Sequence, residues 1–265
     1  MRLRRSLSAV FVLVSALVVG LLGAGTAQAA APVYVALGDS YSSGNGAGSY
    51  ISSSGDCHRS NNAFPARWAA ANSPSGFAFV ACSGAVTTDV LNNQLGSLNS
   101  STTLVSITIG GNDAGFADAM TTCVTGSDST CLNRLNTART YINNTLPGRL
   151  DAVYSAVRSR APNARVVVLG YPHMYIEPSP WYCLGLSNTK REAINDTSDA
   201  LNSVISARAA AHGFRFGDVR PTFNDHELCS GDDYLHDVRI PVWESYHPTS
   251  LGHANGYLPA LNAND

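Results

Sequence analysis

The chain has 265 residues, 45% of them hydrophobic and 14% charged, with a formal net charge of −2. A disordered chain carries fewer apolar and more charged residues, and 23 Gly cannot fill every third position as a collagen-like chain requires. The 17 basic residues, with Lys190 the single Lys, form no basic stripe beyond the first five positions, so no nucleic-acid partner is expected.

At the amino end, Arg2, Arg4 and Arg5 precede an apolar run from Leu7 to Ala24 and the small-x-small triplet Ala27-Gln28-Ala29. A basic, then apolar, then small-residue order predicts a secretory leader over residues 1–29. The run is short for a bilayer span and rich in small residues, which argues against an anchor. Loss of the leader removes three Arg and no acid, so residues 30–265 carry a formal charge of −5. No composition break or repeat divides residues 30–265, which predicts one domain, soluble and extracellular.

The six Cys (Cys57, Cys82, Cys123, Cys131, Cys183 and Cys229) all lie in that domain. In an oxidising compartment an even count favours disulfides over free thiols or metal ligands, although spacing alone leaves the pairing open. Cys123 and Cys131 are close enough in sequence to form one small loop. The absence of any CxxC pair argues against a zinc or redox site.

Five β-rich runs follow in chain order: Val33–Leu37, Phe77–Cys82, Thr103–Ile109, Arg165–Leu169 and the weaker Gly213–Phe216. Helical patterns separate them: Phe64–Ala71, Thr87–Leu95, a long stretch Leu132–Arg160 interrupted at Pro147, Lys190–His212, and a last helix from Ser250 to Leu261. Strands alternating with helices predict an α/β domain with a mostly parallel sheet covered on both faces. Three irregular stretches, Ser42–Asn62, Tyr171–Asn188 and Pro221–Tyr246, each hold at least one Cys, so long loops are expected to be tied to the body.

Ligands of open α/β sheets bind beyond the carboxyl ends of the strands. Gly38-Asp39-Ser40-Tyr41-Ser42 follows the first strand, Ser83-Gly84 the second, and Gly110-Gly111-Asn112-Asp113 the third; His247-Pro248 precedes the last helix. These residues supply what ester hydrolysis needs. Ser40 can attack a carbonyl when an imidazole removes its proton, and His247 can be that base. The backbone N–H groups of Ser40 and Gly84 with the Asn112 amide can hold an oxyanion. Asp39 and Asp113 read as structural groups, and His253 as a helix residue. Asp225-His226-Glu227 with Asp232 and Asp233 reads as a solvated acidic loop rather than a cation site.

In these motifs and their order the sequence resembles the SGNH hydrolases, the GDSL-type esterases and lipases. The run Gly38–Gly44 and the six-Cys layout resemble the secreted actinomycete lipases and phospholipases A1 most. The resemblance implies a flavodoxin-like three-layer α/β/α sandwich with a five-stranded parallel sheet in the order 2-1-3-4-5. It implies disulfides Cys57–Cys82, Cys123–Cys131 and Cys183–Cys229. It also implies Ser40 as nucleophile, His247 as general base, and an oxyanion hole of Ser40, Gly84 and Asn112. One position departs from the pattern: Glu244 stands where the family has Asp, so His247 is oriented either by the Glu244 carboxylate or by a main-chain carbonyl of Glu244 or Ser245. No G-x-S-x-G occurs, which sets the chain apart from α/β-hydrolase lipases.

The expected activity is hydrolysis of lipid acyl esters, first that of a phospholipase A1 releasing the sn-1 fatty acid. A triacylglycerol lipase, a simple carboxylesterase or a carbohydrate acetyl esterase is the alternative, and a non-catalytic secreted binding protein a remote one. No cofactor or metal is needed. The expected partner is a lipid ester substrate met in transient contact with lipid aggregates, with a monomer and no stable protein partner. The aromatic loop Pro172–Ile176, continuing to Trp181-Tyr182, reads equally as acyl groove or as core.

Overall fold

The computed structural model of the protein describes residues 31–265; the leader expected over residues 1–29 lies outside the described residues. Five parallel strands, β1 (Val33–Gly38), β2 (Gly76–Phe79), β3 (Leu104–Thr108), β4 (Arg165–Leu169) and β5 (Arg215–Gly217), form one sheet in the order β2-β1-β3-β4-β5. β1 and β3 pair from Tyr34 opposite Leu104 to Gly38 opposite Thr108, which places their carboxyl ends side by side. The chain leaves β1 toward β2 and returns on the other side as β3. That reversal opens the crevice where ligands of such sheets sit.

The central strands are buried on both faces, so β1 and β4 read as continuous apolar runs rather than alternating ones, while β3 also carries the buried hydroxyls of Ser106 and Thr108. On one face pack α2 (Phe64–Asn72) and the carboxyl-terminal α7 (Leu258–Asn262), on the other α5 (Leu146–Arg160) and α6 (Asn188–Ala211). Two further helices, α3 (Phe116–Thr125) and α4 (Asp128–Asn144), lie on the second side, α4 against α6. A short helix, α1 (Ser40–Ser43), starts directly beyond β1.

Several boundaries differ from the sequence reading. The stretch read over 132–160 breaks at Pro147 as expected, because proline cannot donate into a continuing helix and instead begins a new one, but its first helix starts earlier, at Asp128. β2 stops at Phe79, since residues 80–82 turn to donate to the Ala36 and Gly38 carbonyls outside the ladder. The segment 87–97 changes helix type, running as α over Thr87–Asp89, π over Val90–Gln94 and 3₁₀ over Leu95–Ser97. α3 went unread because Thr121, Thr122 and Thr125 are weak helix formers between Gly115 and Gly126, although Phe116, Ala119, Met120 and Cys123 keep the helical spacing.

Disulfides join Cys57 to Cys82, Cys123 to Cys131 and Cys183 to Cys229, the pairing that the resemblance implies. The first ties the loop after α1 to the end of β2, and the second closes α3 onto α4. The third joins the loop after β4 to the loop before the carboxyl-terminal helices. Among the described residues no helix is long and apolar enough to cross a membrane.

Gly38 shows how closely the site is built onto the sheet. Its φ of +122° is a region side chains avoid, and a Cβ there would run into the Thr108 carbonyl. Gly38→Ala is therefore expected to lower stability by about 2–4 kcal/mol, read as a shift of the urea unfolding midpoint.

Candidate active site

The turn after β1 presents Ser40 as the first residue of α1. Asp39 caps that helix, its Oδ1 accepting from the Tyr41 N–H at 3.0 Å. The same carboxylate takes the Thr108 hydroxyl at 2.7 Å and the Tyr171 hydroxyl at 2.5 Å, while Ser42 Oγ meets Thr108 Oγ1 at 2.8 Å. Asp39 is thus wholly engaged in holding the strand ends together. Burial pushes its carboxyl up to about 6 against the pull of these donors. Gln94 adds a two-way bond to the backbone of Gly38, with its Oε1 2.7 Å from the N–H and its Nε2 2.8 Å from the carbonyl.

His247 reaches the same point from the far end of the chain. Its Nε2 lies 2.8 Å from Ser40 Oγ, and its Nδ1 lies 3.0 Å from the Ser245 carbonyl. A carbonyl can only accept, so Nδ1 carries the proton and Nε2 is left to accept from the Ser40 hydroxyl. Tyr246, with φ +60°, turns the chain so that Ser245 faces back onto the ring two residues later. The Tyr41 hydroxyl donates to the Tyr246 carbonyl at 2.6 Å, which links the residue after Ser40 to the residue before His247.

Of the three orienting groups that the sequence leaves open, the Glu244 carboxylate and the main-chain carbonyls of Glu244 and Ser245, the Ser245 carbonyl is the one against the imidazole. The Glu244 carboxylate is turned elsewhere: Oε1 accepts from the Tyr50 hydroxyl at 2.6 Å, and Oε2 lies 3.2 Å from Arg239 Nε. Burial pushes the His247 imidazole down to about 4, with the nearby His236 and His58 acting in the same direction and the bond to Ser245 opposing them. At neutral pH the ring is therefore uncharged and free to take a proton.

Gly84 and Asn112 line the same cavity as Ser40 and His247. Gly84 has φ +80°, and the place its Cβ would occupy is empty, so the backbone there is open to an incoming molecule. Asn112 donates one amide proton to the Ala85 carbonyl at 3.0 Å, and an amide nitrogen carries two. Asp113 accepts from Thr87 N at 3.0 Å and Thr87 Oγ1 at 2.6 Å, and so fixes the loop rather than entering the cavity.

The cavity measures about 490 Å³. Beyond the polar groups around Ser40 it runs between helices, past Met120 and Val124 of α3, Leu135 and Ile142 of α4, and Ile194 and Leu201 of α6. Sequence reasoning missed these residues because at helical spacing they look like ordinary core. The loop after β4 divides: Tyr171 and Met174 line the cavity, Tyr175 is core, and Trp181 stands out in solvent. His253 is buried against Phe64. Among the described residues no three or more His, Cys, Asp or Glu side chains are grouped to hold a metal ion, and His226 of the acidic loop pairs with Asp232 at 3.2 Å.

Two outcomes follow from this geometry. A base whose charged form is disfavoured down to about pH 4 keeps its acceptor above that pH. The acid limb of kcat/KM on a soluble ester should accordingly fall near pH 4, well below the ordinary imidazole value, as pH is lowered. Glu244→Ala should retain at least about a tenth of the wild-type kcat/KM, because the ring's acceptor is main chain. Loss of several orders of magnitude in a folded variant would return the orienting role to the carboxylate.

The family model of the GDSL-like lipases and acylhydrolases matches residues 36–254, a span holding Ser40, Gly84, Asn112 and His247. The chain is 64% identical to Lipase 1 of Streptomyces coelicolor over 247 residues, covering 91% of each protein. Its fold superposes on the crystal structure of phospholipase A1 from Streptomyces albidoflavus NA297 with a TM-score of 0.87 and 61% identity, over 89% of this chain and 100% of the other. The extracellular lipase of Streptomyces rimosus gives 0.86 and 59% over the same shares. The chain belongs to the GDSL-like lipase/acylhydrolase family of ester hydrolases.

Proposed function

We propose that this protein is a secreted serine hydrolase of lipid acyl esters, acting first as a phospholipase A1. The observation that carries the proposal is the Ser40–His247 pair, 2.8 Å apart, at the mouth of a deep apolar cavity. A cavity walled by Met, Val, Leu and Ile suits a fatty acyl chain, whereas an acetyl group would leave most of it unfilled. The solved phospholipase A1 of Streptomyces albidoflavus NA297, which covers 89% of this chain at 61% identity, supports the choice of phospholipid. The names of Lipase 1 and of the extracellular lipase favour triacylglycerol as the second reading. The extracellular location of the Streptomyces rimosus lipase, with the basic, apolar and small-residue order of residues 1–29, supports export.

In this reading Ser40 Oγ attacks the ester carbonyl carbon while its proton passes to His247 Nε2. General-base action of this kind contributes about 10²–10⁴ in rate. The carbonyl oxygen becomes an oxyanion, held by the N–H groups of Ser40 and Gly84 and by the second Asn112 amide proton. A single such donor is worth about 10²–10³ in kcat. Collapse breaks the ester bond, and the departing alcohol oxygen takes the proton from Nε2. The acyl group stays on Ser40 Oγ. Water then gives a proton to Nε2 and its oxygen to the acyl carbon, and the fatty acid leaves as Ser40 recovers its proton. The Ser245 carbonyl holds the ring in the required tautomer throughout.

Product analysis on a phosphatidylcholine with different acyl chains at sn-1 and sn-2 tests the proposal. Release of the sn-1 acid by the wild type, lost in Ser40→Ala, is the expected result. Release of only the sn-2 acid, or preference for acetyl over long-chain esters, would sink it.

A further inference from the structure

Residues 238–243, Val-Arg-Ile-Pro-Val-Trp, form a ridge whose apolar side chains face solvent. Val238 is 57% exposed, Ile240 90%, Val242 72% and Trp243 39%. Such a concentration in six residues is unlike the scattered apolar groups of an ordinary surface, and marks a place of contact. Three of the four, Val238, Val242 and Trp243, also line the cavity that Ser40 opens into. Ile240 sits between them in sequence, outside the cavity lining.

The ridge is held firmly in its exposed position. The Arg239 N–H donates to Ser245 Oγ at 3.0 Å, and the Arg239 guanidinium pairs with Glu244, which is anchored in turn by Tyr50. The Trp243 ring stacks on His58 at 3.9 Å, and its carbonyl accepts from Asn45 Nδ2 at 2.8 Å. Little conformational freedom is left to lose when a partner covers these side chains. The one basic residue of the ridge is already engaged by Glu244, and residues 30–265 carry a net formal charge of −5. Attraction to an anionic surface therefore cannot be the source of contact, whereas apolar burial can.

We infer that the 238–243 ridge is the surface by which the enzyme docks on aggregated lipid, with its apolar side chains entering the acyl layer. This inference rests on the proposed lipid-ester activity. Docking there sets the cavity mouth against the layer, so an acyl chain passes from one apolar environment to another without crossing water. Because the contact is apolar, it should survive high salt.

Flotation with phosphatidylcholine vesicles, in a Ser40→Ala background that leaves the lipid intact, reads docking apart from hydrolysis. Ser40→Ala protein is expected to float with the vesicles at low and high salt. Adding Ile240→Asp should cut the bound fraction by about tenfold or more, and Ile240→Leu should leave it within about twofold. In the active enzyme, Ile240→Asp should slow vesicle hydrolysis similarly yet hold the rate on p-nitrophenyl acetate within about twofold. Equal flotation of the Ile240→Asp and parent proteins overturns the inference. So does loss of the soluble-ester activity, which would place Ile240 in support of the site. A wild-type dimer dispersed by Ile240→Asp overturns it too, by assigning the ridge to a second copy of the chain. Flotation through Ile240 without cleavage of the vesicle lipid would refute the lipid-hydrolase reading and leave the docking surface standing.

Discussion

A buried carboxylate at the point where the strand order reverses holds the rest of the site in place. Asp39 receives the Tyr41 backbone N–H, the Thr108 hydroxyl at the end of β3 and the Tyr171 hydroxyl just past β4. A carboxyl group with no water around it is costly unless donors surround it, so each of these bonds is enforced by the cost of losing it. The result is a rigid seam across three strand ends. Ser40 is the next residue along, and its position is a by-product of that seam. Tyr171 extends it further, accepting from the Gly111 N–H at 3.2 Å and so fixing the loop that carries Asn112.

The far side of the site is organised on a different principle. No carboxylate touches His247; its partner is a peptide carbonyl, and the ionisable groups stand one layer back. Glu244 links Tyr50 and Arg239, while the His236 N–H donates to the His247 carbonyl at 2.9 Å and His236 Nε2 meets the Gly46 carbonyl at 2.8 Å. The Tyr50–Glu244 and Gly46–His236 bonds join the loop after α1 to the loop before the carboxyl-terminal helices, and the other two lie within the latter. Glu244 thus acts on the shape of the 244–247 turn, whereas His236 also bears on the ring itself and disfavours its charged form. In the proposed mechanism, a Ser40–His247 dyad oriented this way gains less stabilisation of the imidazolium than one facing a carboxylate, and leaves more of the transition-state charge to the donors around the oxyanion.

How much of this could be read from the sequence depended on whether a feature is local. The strands were legible because buried parallel strands are apolar runs closed by Gly, and because Gly38, Gly84 and Gly110 mark the turns beyond them. Ser40, Gly84 and Asn112 were legible as motifs at those turns and His247 as one before the last helix, and the structure brings all four to one cavity. The Ser245 carbonyl could be offered only as one of several choices, since every residue has a carbonyl and only the backbone path through Tyr246 selects this one. Tyr50 and Glu244, 194 positions apart, carry no mark of their pairing. The apolar cavity was hidden for a further reason: Met120, Leu135 and Ile142 have the spacing of packed core, and a chain gives no sign of where packing leaves a gap.

That gap has a bearing on how such an enzyme can change. Its inner walls belong to α3, α4 and α6, helices that pack on one another, with Cys123–Cys131 binding the first two together. With the acyl chain seated there as proposed, reshaping the inner end to admit a longer or shorter chain means altering residues that also hold those helices, so selectivity for the acyl group and stability of the fold draw on the same atoms. The outer end is built from loops, among them the 238–243 ridge, whose apolar side chains face solvent. Variation there can alter which alcohol is accommodated while the scaffold is left intact. Relatives of one stability should therefore diverge readily on the alcohol side of the ester and slowly on the acid side.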